Sequence, residues 1–370
     1  MRLLLIAPST RAMAESAYRA GYDFVSMDFY GDVDQREICR NYSLSHDFHE
    51  EHTIDNLFKH RRDVRYTHVV YGSGFENRPE LVEIFEKESI LLGNSSKILR
   101  KVRDWDVFFE TLRRIGIPHP ESKVVKGDEA RALLSENPSM VIKPIKSGGG
   151  HAIYDRSILD EEPELDDEVL VQEFVRGVPA SATVLATKDG CYFIGATEQL
   201  IGDGQNKYRY VGNIAPLYAR REVMEQIARL SIKIVEAFKL RGSNTVDFIL
   251  SGGVPVVTEV NPRLTGAMEV LERAFKINLI DLHVKACMDD LRDVDVMPSR
   301  GFQGKKILFA DDDLQFRLDS LAFVKDVPRY GEKIAKGSPI CTVLGSGNTR
   351  RECIKDLERK ETIIRRGLIQ

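Results

Sequence analysis

Two apolar runs, Val246-Asp-Phe-Ile249 and Val256-Val-Thr-Glu-Val-Asn261, stand on either side of Ser251-Gly-Gly253. A glycine-rich turn between such runs predicts two antiparallel strands, over about 244–250 and 254–261. Side chains alternate along a strand, so Glu259 and Asn261 share one face. Asp247 can reach that face from the neighbouring strand. Two carboxylates and an amide oxygen then converge, and hard oxygen donors of this kind suit Mg²⁺. Arg263 follows at the strand end, where a guanidinium can take a phosphoryl oxygen. A surface hairpin with scattered polar residues is the competing reading. It leaves unexplained why Asp247 and Glu259 are flanked by apolar residues.

Ahead of this hairpin the chain alternates strand and helix. Leu3–Ala7 reads as a strand buried on both faces. An alanine-rich helix follows and stops at Gly21, and further strands are expected at 24–27 and 67–71. This rhythm predicts right-handed βαβ units over residues 1–95. A helix is expected over 104–116, short strands and one helix over 124–174, and an antiparallel pair near 180–187 and 191–200. Helices are expected over about 221–240, 266–274 and 277–290. The last 70 or so residues read as β-rich with a final charged helix. The acidic run 160–168 reads as a solvated loop.

Lys143 closes the apolar run Met140-Val-Ile142, and a lysine there is costly unless an anion meets it. Gly148, Gly149 and Gly150 follow, and backbone without Cβ atoms can approach phosphates closely or form a flap. A glycine-rich loop alone is more often a turn. Neither GxxxxGK[ST] nor a GxGxxG after the first strand is present, so P-loop and dinucleotide-binding readings are unsupported. Val169-Leu-Val-Gln-Glu173-Phe174-Val175 is an apolar strand whose end could present backbone groups to a base, though any edge strand could look the same.

In this order, Ile-Lys-Pro…Gly-Gly-Gly, Val-Gln-Glu-Phe and Asp…Glu-x-Asn-Pro-Arg resemble the ATP-grasp superfamily. The nearest subgroup is that of predicted ATP-dependent carboligases, related to biotin carboxylase and carbamoyl phosphate synthetase. The resemblance implies a multidomain α/β and α+β chain. A Rossmann-like pre-ATP-grasp domain would cover 1–95, an ATP-grasp domain 96–290 and a small β-rich domain 291–370. It implies that Lys143 binds ATP phosphates, that Gly148–Gly150 close over them, and that Glu173, Phe174 and Val175 hold adenine. Asp247, Glu259 and Asn261 would bind Mg²⁺, with Mn²⁺ an alternative, and Arg263 would stabilise the transferring phosphoryl group. Two departures stand out. Asp104-Trp105 occupies the place of a family lysine, so Lys101 or Arg103 would substitute. Val178-Pro-Ala-Ser181 has no acid for the ribose hydroxyls.

The implied reaction activates a carboxylate as an acyl phosphate for attack by an amine. A bicarbonate-using carboxylase and an ATP-binding sensor or scaffold without turnover are the alternatives. Substrate candidates are Ser9, Thr10 and Arg11 past the first strand, Gly72–Glu76 past a later one, and Tyr208, Arg209, Tyr210 and Asn213. For Ser9–Arg11 the competing reading is a helix cap with a solvent-facing arginine. For Tyr208–Asn213 it is an ordinary aromatic loop. His46, His49 and His52 lie among Asp47, Glu50 and Glu51 and read as a solvated acidic loop rather than a metal site.

With 42% hydrophobic and 30% charged residues, the 370-residue chain is that of a globular protein. Its net charge of −4 gives no reason to expect nucleic acid. Cys39, Cys191, Cys287, Cys341 and Cys353 are widely spaced, as reduced thiols in a cytoplasm would be. No apolar run is long enough to span a membrane. Small-molecule carboxylate and amine substrates are the expected partners, and self-association into a homodimer is left open.

Overall fold

The computed structural model describes residues 1–159, 163–292, 294, 296, 300–318 and 321–368. Residues 160–162 of the acidic run lie outside the described residues.

The buried strand Arg2–Ile6 is the centre of a five-stranded parallel sheet. It pairs with Asp23–Asp28 on one side and His68–Tyr71 on the other. Asn41–Ser43 and Ile90–Leu91 form the edges. Leu3, Leu4, Leu5 and Ile6 are all fully buried, which explains an apolar run without alternation. Asn41–Ser43 lacks an apolar run, and sequence periodicity missed it.

Ser122–Lys126, Glu168–Glu173 and Met140–Pro144 make a separate antiparallel three-stranded sheet, with Glu168–Glu173 in the middle. The helix Gly127–Glu136 packs on it through Ala130 and Leu134.

The largest sheet has eight strands. Val254–Asn261, Gly242–Ser251, Val178–Ala186, Cys191–Ile201 and Tyr210–Ala215 follow one another across it. Phe302–Phe309, Pro339–Gly347 and Val324–Lys325 continue the same sheet. The β-rich tail is present, and its strands extend the main sheet through Tyr210–Ala215. Its final helix is Arg350–Leu368.

Two helices share one apolar core with the first strands of this sheet. Arg221–Phe238 buries Ile227, Leu230, Ile234, Val235 and Phe238, a stripe at helical spacing. Each such side chain contributes roughly 1.5–3 kcal/mol by leaving water. Trp105–Arg114 packs beside it, with the Phe108 and Phe238 rings stacked 5.7 Å apart. The Asp104 carboxylate accepts the Val107 amide at 3.1 Å and starts this helix. The aspartate found in place of a lysine is therefore an N-cap.

Candidate active site

The turn predicted at Ser251–Gly253 has Gly252 and Gly253 at φ 58° and 88°, between the paired residues Ser251 and Val254. Both are left-handed, so the two-residue connection needs glycine. This turn sets a register from Ser251 opposite Val254 to Phe248 opposite Val257, which alone would bring Asp247 opposite Thr258. A register shift between Phe248 and Asp247 instead places Asp247 opposite Glu259. Such a bulge re-aims side chains.

Asp247, Glu259 and Asn261 line one wall of a cavity of about 1040 Å³. The Asn261 amide donates to Asp247 Oδ2 at 2.9 Å, and Gln199 donates to Oδ1 at 3.1 Å. Burial, then the nearby Glu259 charge, push the Asp247 carboxyl up to about 8. A carboxylate held this way favours a cation. Among the described residues no group of three or more His, Cys, Asp or Glu forms a ready metal cage. Two carboxylates plus one amide oxygen instead fit Mg²⁺, whose remaining positions go to water and phosphate oxygens.

Lys143 and Arg263 face the same cavity. Lys143 Nζ donates to Gln172 Oε1 at 2.6 Å, and Gln172 in turn donates to Ser122 at 3.0 Å. Burial holds the Lys143 ammonium below the ordinary lysine value, opposed by Glu259 and Asp247. An arriving anion would favour its charged form. Arg263 Nε donates to Glu76 Oε1 at 2.7 Å, and Nη2 donates to Asn261 Oδ1 at 3.1 Å.

Gly149 and Gly150 also line the cavity, with φ 66° and 75°. The loop is already folded against its opposite bank. The Tyr210 amide donates to the Gly149 carbonyl at 2.9 Å, and a Cβ on Gly150 would collide with the Tyr208 carbonyl. Gly148 has open space around it and does not line the cavity. Glu173, Phe174 and Val175 form another part of the wall. The Phe174 amide is already donated to the Ser139 carbonyl at 2.7 Å.

Several expectations fail. Lys101 is exposed, and its ammonium sits 5.3 Å from the Phe238 ring centroid, away from the cavity. Arg103 reaches the site instead, donating to Glu259 Oε1 at 2.8 Å, Asn77 at 2.8 Å and the Ser147 carbonyl at 3.3 Å. Arg103 stands just past the helix Ser96–Val102 and touches the site through Glu259 rather than lining the cavity itself. Thr10 is turned away, with its hydroxyl on Asp28 at 2.5 Å. Glu76 lies behind Arg263 as its ion-pair partner, 2.6 Å away, rather than on the cavity wall. Arg209 pairs with Asp203 at 2.7 Å, and only its neighbours Tyr208 and Tyr210 line the cavity.

Ser9 does line the cavity, as do Gly72, Ser73 and Asn213. Tyr210 donates to Asn213, whose amide donates to Thr197 at 2.8 Å. Arg11 lines it too, but is neither solvent-facing nor free: it is 1% exposed. Its guanidinium grips Glu269 at 2.5 and 2.9 Å and Asp326 at 3.0 and 3.2 Å. Of the histidines, His46 meets Glu332 at 3.3 Å and His52 meets Ser45 at 2.8 Å.

Sequence reasoning missed the far end of the cavity, where Asp32, Lys305 and Asp326 stand. Lys305 sits beside Lys306 in the strand Phe302–Phe309, whose polar first half gave no apolar run to single it out. Asp32 and Asp326 carry no local signal.

Residues 104–267 match the family model described as the ATP-grasp domain. The chain carries an ATP-grasp domain. An uncharacterised protein of Methanocaldococcus jannaschii is 23% identical over 383 residues, covering 98% of this chain and 94% of that protein. The large chain of carbamoyl phosphate synthase from Clostridium acetobutylicum is 21% identical over 248 residues, 63% of this chain and 23% of the relative. Among solved structures, the biotin carboxylase domain of Hydrogenobacter thermophilus 2-oxoglutarate carboxylase, in complex with MgADP and bicarbonate, superposes with a TM-score of 0.75. It is 14% identical, with 97% of this chain and 88% of that one covered. An L-amino acid ligase from Bacillus licheniformis gives a TM-score of 0.73 at 16% identity, covering 98% and 97%. At these identities the likeness is one of fold. The matched residues thus sit within a chain whose whole fold follows that of these two solved structures.

Proposed function

We propose that this ATP-grasp protein uses Mg-ATP to activate a carboxylate as an acyl phosphate, which an amine then attacks to form an amide. The observation that carries the reading is the convergence of Asp247, Glu259 and Asn261 with Lys143 and Arg263 on one cavity wall. The ADP complexes among neighbours of the same fold agree with it.

Asp247, Glu259 and Asn261 would hold Mg²⁺, which when bound neutralises charge on the phosphate oxygens. Lys143 would bind the phosphates from the three-stranded sheet, and the Gly149–Gly150 loop would exclude water from them. In the first step a substrate carboxylate oxygen bonds to the γ-phosphorus, the bond to the ADP oxygen breaks, and ADP leaves. Arg263, fixed by Glu76 and Asn261, would face the charge developing on the transferred group. In the second step the amine nitrogen bonds to the acyl carbon, the acyl–phosphate bond breaks, phosphate leaves and the nitrogen gives its proton to water. Both steps depend on positioning and electrostatics, so no protein nucleophile is needed. Glu259 is itself held by Arg103, which we assign to the place of the missing family lysine.

The test is ADP and phosphate release from purified protein given Mg-ATP with pools of carboxylates and amines, with hydroxylamine trapping the acyl phosphate. Asp247→Asn and Glu259→Gln should abolish release while the far-ultraviolet circular dichroism is unchanged. Tight ATP binding with no release for any pool would overturn the ligase reading.

A further inference from the structure

The end of the cavity occupied by Asp32 and Lys305 belongs to none of the machinery above. Its charges are unusual. Asp32 and Lys305 are each 6% exposed, and both line the cavity. Among the described residues no hydrogen bond reaches the Asp32 carboxylate or leaves the Lys305 ammonium. The ion pair Lys305 makes is with Glu269 Oε2, at 3.9 Å. Buried charges are ordinarily paired or hydrogen-bonded, so each of these two is short of a partner.

The surrounding groups cannot supply what is missing. Arg11, a neighbouring cation, is committed to Glu269 and Asp326. Asp28 is satisfied by Thr10, Asn41 and the Gly31 amide. Asp34 accepts the amides of Asp326 and Val327. Asp32 thus remains a carboxylate among carboxylates, and burial with Asp326, Asp28 and Asp34 raises it well above its ordinary range. Burial likewise holds Lys305 below the usual lysine value. A bound ammonium would relieve the first, and a bound carboxylate the second.

The two charges are also ordered along the cavity. Lys305 Nζ lies beside Gly266 and the Tyr210 hydroxyl, next to the segment that leads from Arg263. Asp32 starts the short helix Val33–Arg36, on the side of the N-terminal sheet. A carboxylate on Lys305 therefore lies towards the phosphoryl-transfer end, and an ammonium on Asp32 lies away from it.

We infer that the carboxylate substrate is a zwitterion, an amino acid whose carboxylate is held by Lys305 and whose ammonium is held by Asp32. The assignment deepens the ligase reading and rests on it. A nitrogen held as an ammonium is not a nucleophile, so the second step is left to a separate amine.

The experiment measures ADP release from the full chain with Mg-ATP. Each common L-amino acid is compared with the 2-hydroxy acid of the same side chain. At least one amino acid should exceed its hydroxy acid by about tenfold or more in kcat/KM, the scale of a charge-assisted contact. Asp32→Asn should bring that ratio near one while leaving turnover of the hydroxy acid. Lys305→Met should weaken both alike. Equal use of the two acids by the parent, or an unchanged ratio in Asp32→Asn, overturns the inference while the ligase reading stands. Should no carboxylate release ADP, the ligase reading fails, and calorimetry with the same amino acids and a non-hydrolysable Mg-ATP analogue decides the site. Binding lost in Asp32→Asn supports it, and no binding by any amino acid overturns it. Removing a buried charge should not lower the melting temperature, and Asp32→Ser provides a second variant should Asn disturb the fold.

Discussion

Glu76→Gln offers a sharp test of how Arg263 is held. Glu76 is 2% exposed, and both Nε and Nη2 of Arg263 converge on its single oxygen Oε1, at 2.7 and 2.6 Å. Oε2 has no hydrogen-bond partner. Glutamine can present a carbonyl oxygen where Oε1 stands, so this change removes charge and little geometry. Leaving a buried charge without its partner costs about 3–5 kcal/mol. Glu76→Ala should lose that full amount, and Glu76→Gln about 2 kcal/mol because the neutral acceptor survives. Urea unfolding at pH 7 measures both. The double variant Glu76→Gln/Arg263→Gln should recover part of the loss, since no charge remains buried, giving a coupling energy above about 1 kcal/mol. The Arg263 charge holds the Glu76 carboxyl below its ordinary value, despite burial. Its contribution is therefore present above the unfolded value of 4.5 and fades as pH falls through the lower folded value. The gap between parent and Glu76→Gln should be flat above neutrality and close in acid. Strictly additive single variants, or a gap that widens in acid, would refute the reasoning.

Arg103→Ala should raise the KM for ATP or lower kcat by about tenfold or more, whereas Lys101→Ala should leave both unchanged; steady-state kinetics separates them. Gly150→Ala, at a positive φ with no room for a Cβ, should weaken nucleotide binding by calorimetry while costing about 1–3 kcal/mol in stability. Burial raises the Asp28 carboxyl from 3.8 to about 6 against the pull of its hydrogen bonds. The folded state therefore binds the extra proton between these values, and stability falls as pH rises through them. Asp28→Asn should gain on the parent by about 2 kcal/mol between pH 4 and pH 6, beneath a constant offset from its altered contacts, in denaturant titrations at several pH values.

The phosphoryl-transfer wall was legible because its parts lie close in sequence. The Gly252–Gly253 turn brings the two strands together and alternation puts Glu259 and Asn261 on one face, whereas the one-residue shift that sets Asp247 opposite Glu259 left no sequence signal. Lys143 was legible for a different reason, being a charge at the end of an apolar strand. Arg11 defied both arguments. Its local pattern is that of a residue in the first turn of a helix, and only Glu269 and Asp326, more than 250 residues away, draw it inward. Resemblance could not decide between Lys101 and Arg103, because what separates them is a contact with Glu259 more than 150 residues away. The tail's turns were readable, but not that Phe302–Phe309 would pair with Tyr210–Ala215, since antiparallel pairing across some 90 residues leaves no local mark.

That pairing bears on how the molecule is made. While the ribosome has delivered only the first 290 or so residues, Tyr210–Ala215 is an open sheet edge, ready to pair with any passing strand. Arg11 meanwhile has Glu269 but not Asp326. The strands that follow thus cover a hazardous edge, complete the clamp on Arg11, and deliver Lys305 in the same movement. The cavity is completed only when these strands dock, so a chain stopped before them should be prone to aggregate rather than be merely inactive.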